Sequence, residues 1–69
     1  MLRADQAKVA WDSKKKRWKV TIEVGAEWIN RWDATRKREA GDDTLKTMAL
    51  ETARDEGYEL EPERVSIER

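Results

Sequence analysis

Four consecutive cations, Lys14, Lys15, Lys16 and Arg17, stand between Trp11 and Trp18. Such a run has the chemistry to neutralise phosphates, and a neighbouring indole offers a face on which a base can stack. A second basic group follows at Arg31, Arg36, Lys37 and Arg38; the two act together only if the fold brings them to one side. Lys14, Lys15, Lys16, Arg17, Arg36, Lys37 and Arg38 are therefore the candidates for contact with a nucleic acid. The plainer account is a solvated basic turn with Trp11 and Trp18 spent on the core, so a nucleic acid ranks just behind a protein as the expected partner.

Trp28, Arg31 and Trp32 are the candidates for a protein partner. Four tryptophans in 69 residues exceed what one small core readily hides, and an exposed aromatic beside arginine is the composition of an interface hot spot. The competing account places Trp28 and Trp32 beneath a helix, completing a core that has few other large apolar residues.

Catalysis is not expected. The chain has no histidine and no cysteine, which removes imidazole and thiol chemistry, and Ser13 and Ser66 have no base to activate them. Asp42 and Asp43, beside the free amides of a helix start, are expected to complement its dipole instead of serving in catalysis. Glu59, Glu61 and Glu63 alternate onto one side, but no Asp/Asn loop spacing supports a calcium site. No catalytic, cofactor-binding or metal-binding residue is assigned, and no cofactor is expected.

A formal net charge of zero hides a division. Residues 1–41 hold eleven Lys/Arg against six Asp/Glu, and residues 42–69 hold four against nine. Either the basic half meets an anionic partner or the two halves turn complementary charge toward each other. Sixty-nine residues suit one small domain, 1–69, with residues 1–6 a frayed lead-in. Without disulfides, an apolar leader segment or an apolar run long enough to cross a bilayer, a cytoplasmic setting with no membrane contact is expected.

The elements that must position these residues begin with a hairpin. Folding the chain at residues 13–16 sets Trp11 against Trp18, Val9 against Val20 and Ala7 against Ile22, and alternation puts all six on one face with Val24. Asp12 and Arg17 then face each other at the mouth of a four-residue loop. Segment 26–40 admits two readings. As a strand past a Gly25 bulge or turn, Ala26, Trp28, Asn30 and Trp32 continue the even-numbered apolar face; as a helix, Trp28, Ile29 and Trp32 form a stripe closed by Gly41. The balance favours a strand over 28–32 followed by a basic loop or short helical turn. Residues 43–56 form a helix on the stripe Leu45, Met48, Ala49, Thr52 and Ala53, with Asp42 or Asp43 capping its start, Gly57 its end, and Tyr58 folding back over Ala53. A turn around Pro62 leads to a last strand with Val65 and Ile67 on the core side. The expected fold class is α+β: a small antiparallel sheet with one main helix across one face.

The order of Lys19-Val20-Thr21-Ile22-Glu23-Val24, then Trp28, Ile29 and Trp32, then Gly41 and a helix resembles the ribbon-helix-helix repressors. There an alternating strand precedes two helices joined by a glycine-containing turn, and the chain dimerises through its strands. That resemblance, over about half the chain, implies a DNA-binding dimer with Lys19, Thr21 and Glu23 entering the major groove. The leading expectation remains a non-enzymatic binding or regulatory domain for a macromolecule, either a monomer or a weak homodimer.

Overall fold

The computed structural model describes residues 2–68. The chain runs β1 (Leu2–Arg3), β2 (Gln6–Asp12), β3 (Arg17–Val24), β4 (Glu27–Asp33), α1 (Asp42–Asp55), β5 (Tyr58–Glu59), a 3-10 turn at Pro62–Arg64 and β6 (Val65–Glu68). Four strands form one sheet in the order β4-β3-β2-β6, and β1 pairs with β5 beside it. The class is α+β, as expected from sequence, but the sheet is mixed. β6 lies parallel to β2, with Ala7 opposite Val65 and Val9 opposite Ile67. The connection from β3 to β6 passes through β4 and α1, and that long crossover lets β6 enter in the same direction as β2.

The hairpin has the register that alternation demands: Ala7 with Ile22, Val9 with Val20, Trp11 with Trp18, Asp12 with Arg17. Its odd positions on β2 and even positions on β3 make the sheet half of the core, where Ala7, Val9, Trp18, Val20 and Ile22 are buried against Leu45, Met48, Ala49 and Ala53 of α1. Trp11 is half-buried and meets Trp18 edge-on, with ring centres 5.3 Å apart. Small residues on the helix stripe accept the bulk of Trp18 and Ile22, the jigsaw rule of a packed interior.

Segment 26–40 resolves to a strand and a loop. Val24 pairs directly with Glu27, so only Gly25 and Ala26 lie in the turn. Gly25 takes φ +59, the left-handed geometry that a two-residue hairpin requires at its first position. The register then sets even residues of β3 against odd residues of β4: Ile22 with Ile29, Val20 with Arg31. Trp28, Asn30 and Trp32 therefore face away from α1. The expected even-numbered continuation of the apolar face is corrected, because a loop of two residues pairs Val24 with Glu27 and so sets even positions of β3 on the same face as odd positions of β4.

Three smaller corrections follow. The N-cap of α1 is Gly41, and Asp42 and Asp43 occupy the first turn instead of the cap, where their charge still complements the helix dipole. The stretch read as a frayed lead-in is paired: Ala4 is buried, its amide donates to the Glu59 carbonyl at 2.7 Å, and the Asp5 amide donates to the Glu23 carbonyl at 2.8 Å. Met1, the first residue of that expected lead-in, lies outside the described residues. The ribbon-helix-helix plan has no place here. No helix precedes Gly41 among the described residues, and β3 is flanked within its own sheet by β2 and β4, which leaves it no edge for a second copy. Elsewhere the sequence reading stands: Gly57 takes φ +91 after the helix, Tyr58 packs on the core, and the segment 34–41 is irregular with a turn closed by the Ala40 amide on the Lys37 carbonyl at 3.1 Å.

Candidate functional site

Because α1 packs against β2, β3 and β6, it covers one face of the sheet and leaves the other open. Alternation assigns to that open face Gln6, Lys8, Ala10 and Asp12 from β2, Arg17, Lys19, Thr21 and Glu23 from β3, and Trp28, Asn30 and Trp32 from β4. Trp28 is 68% exposed and Trp32 39%. An indole left this open on a small chain is apolar surface of the kind that marks a contact site.

The cations of the hairpin tip reach this face. The Lys15 ammonium lies 3.9 Å from the centre of the Trp32 ring, and Lys19 lies 5.5 Å from the same ring. Asp12 organises the tip, accepting the amides of Lys14 at 3.0 Å and Lys15 at 3.1 Å, and its other oxygen accepts the Trp32 indole N–H at 3.3 Å. These bonds to the ionised form, the Lys15 amide foremost, hold the Asp12 carboxyl below its ordinary value. Between the two indoles, Thr21 stands opposite Asn30 and donates its hydroxyl to Asn30 Oδ1 at 2.9 Å. Lys8, Lys19, Thr21, Glu23, Trp28 and Asn30 line a shallow depression of about 370 Å³. Gln6 and Glu23 bond to each other at its far end.

The candidate residues divide between the two faces. Arg31 does not join Trp28 and Trp32; it points to the helix side, where its guanidinium holds both Glu56 oxygens at 2.8 and 3.1 Å. Arg36 bonds Glu51 of α1 at 3.5 Å, and Arg38 lies with Glu39 beside Trp11 and Trp18. The two basic groups thus share one end of the sheet but not one face. Trp18 is 1% exposed and gives no stacking surface. Lys8 and Asn30 escaped the sequence reading as site residues, and Lys19 and Thr21 entered it only through the ribbon-helix-helix resemblance; the signal that joins all four was the register, which a two-residue turn at Gly25-Ala26 would have supplied.

The division of charge along the chain also resolves spatially. Arg3 with Glu61, Lys8 with Glu68, Arg31 with Glu56 and Arg36 with Glu51 each join the basic part to the acidic part. Lys14, Lys15, Lys16 and Lys19 form no ion pair with a carboxylate among the described residues, so cationic charge is left over at the tip and open face. Glu61 is held by Arg3 and Arg64, and no cluster of three potential metal ligands occurs among the described residues. No helix among them is long and apolar enough to cross a membrane. Comparison with protein families, curated proteins and solved structures finds no match for this chain.

Proposed function

We propose that this chain is a non-enzymatic binding module whose open sheet face takes a nucleic acid. The observation that carries the reading is the pairing of Lys15 and Lys19 with the Trp32 ring beside the exposed Trp28. Aromatic faces that accept any base, flanked by cations that accept the backbone, are the two components of sequence-tolerant strand binding. The hairpin tip supplies the cations; Arg36, bound to Glu51, and Arg38 contribute at most to the rim.

The test titrates a labelled single strand and a labelled duplex with the protein at low salt and repeats the titration as salt rises. Binding whose logarithm falls linearly with the logarithm of salt, with a slope of about −2 for roughly three phosphates neutralised on a single strand, supports the reading. Replacing Lys14, Lys15, Lys16 and Arg17 by serine should make that slope shallower. No binding of either form at low salt overturns it.

A protein partner is the second reading. It is favoured by the position of β4 at the sheet edge, where an extended peptide can add a strand beside Trp28 and Trp32. That mode depends on backbone pairing and so should show little salt dependence.

A further inference from the structure

We infer that the ligand of the open face is a single strand, seated over three consecutive nucleotides, with the outer two bases on Trp28 and Trp32 and the middle one over the Thr21–Asn30 pair; this rests on the nucleic-acid reading above. Trp28 and Trp32 lie on the same face of one strand, four residues apart, which at roughly 3.3 Å per residue separates them by about 13 Å. Neighbouring bases of a stacked strand are only about 3.4 Å apart, and even a strand drawn out to about twice that spacing covers 13 Å only in two steps. Adjacent bases therefore cannot reach both indoles, whereas bases flanking one intervening nucleotide can. That middle position coincides with the depression lined by Lys19, Thr21 and Asn30. The hydroxyl of Thr21 occupies Asn30 Oδ1, and this bond makes no use of the Asn30 amide hydrogens, which are donors for a base edge.

A duplex does not meet this geometry, since its bases present edges and keep their faces stacked on one another. The cations are placed for a backbone instead. Lys15 covers the Trp32 ring at 3.9 Å; a base arriving on that ring displaces the ammonium, which stays tethered at the tip within reach of the adjoining phosphate. Lys19, farther from the ring, sits between β2 and β4 on the central strand.

The experiment uses labelled eight-nucleotide strands of equal charge in which two positions carry thymine and the rest are abasic. The pair of bases is adjacent in one strand and separated by one abasic position in the next, and a matching duplex of full sequence is titrated alongside. The separated pair should bind about tenfold tighter or more than the adjacent pair, the gain expected of a second stacked base. Trp28→Ala should remove that difference, and Trp28→Phe should restore part of it, with circular dichroism confirming that both variants are folded. Equal affinity of the adjacent and separated strands overturns the three-nucleotide seat while leaving nucleic-acid binding in place. A duplex that binds as tightly as the single strand overturns the single-strand assignment. Absence of binding to every oligonucleotide at low salt overturns the underlying reading and this inference with it.

Discussion

The Trp18 indole N–H donates to the carbonyl oxygen of Lys37 across 2.8 Å, tying the irregular segment 34–41 to the loop end of the hairpin. A buried indole needs a partner for its donor, and a loop that would otherwise hang from the sheet gains an anchor. Trp18→Phe removes the donor, leaves the Lys37 carbonyl short of one bond and opens space beside Trp11. The expected cost is about 2 kcal/mol, combining the lost bond with a partial cavity. Urea unfolding should register that loss, and hydrogen exchange at the Ala40 amide, which closes the turn on Lys37, should accelerate. An unchanged exchange rate at Ala40 would mean that the indole does not hold the loop.

Gly25 sets which face of β4 sees solvent. Its φ of +59 lies where an L side chain is strained, and a Cβ there would meet nothing within 4 Å, so the penalty of Gly25→Ala is one of backbone alone. The expected destabilisation is about 1 kcal/mol, the usual scale for an L residue held at positive φ. A chain of 69 residues is accessible to chemical synthesis, and D-alanine at position 25 fits the same φ without strain. D-alanine should equal or exceed glycine in stability because it restricts the unfolded chain. Equal losses for both enantiomers would contradict the turn geometry.

The hairpin, the helix and the core side of the last strand were legible because each is a periodic apolar pattern with one satisfying register. Trp11 could only meet Trp18 once Val9 met Val20, and Leu45, Met48, Ala49 and Ala53 left no other stripe. The parallel direction of β6 was not legible, since Val65 and Ile67 present the same face whichever way the strand runs. The site was legible only in its composition. Lys14 to Arg17 and the two spare tryptophans stand out by type, but their meeting at Trp32 depends on the parity switch at Gly25, which no periodicity within β4 reveals. Arg31 misled because sequence proximity to Trp28 and Trp32 counts for little on a strand, where neighbours point to opposite faces.

Substitutions on the two faces of the sheet should separate cleanly. Leu45 is fully buried at the start of the helix stripe, and Leu45→Ala should cost 2 kcal/mol or more, at about the usual 2–5 kcal/mol for a large-to-small core change. Trp28 packs only on the open face opposite Glu23, so Trp28→Ala should cost less than about 1 kcal/mol, the range of a single cross-strand pair. Chemical denaturation of the two variants checks this directly. A loss at Trp28 comparable with that at Leu45 would place the indole in a core and remove it from any contact surface.

Asp12 gives the hairpin tip a pH dependence whose sign follows from its hydrogen bonds. Its carboxyl is held below the ordinary value of 3.8, chiefly by the Lys15 amide, with the Trp32 indole and the Lys14 amide also lowering it. A lowered folded value means that the carboxylate stabilises the folded tip at all pH above about 3.8, and that this contribution declines as pH falls through the lower folded value. The Trp32 indole N–H, bonded to Asp12 Oδ2, reports the event directly. Its proton resonance should stay constant from neutral pH down to the ordinary carboxylate range and shift only below 3.8. Asp12→Asn keeps an acceptor oxygen but cannot ionise, so the resonance should no longer move with pH. A midpoint at or above the ordinary value would show that the tip bonds do not favour the charged form, and the geometry that carries Lys15 onto Trp32 would then need another cause.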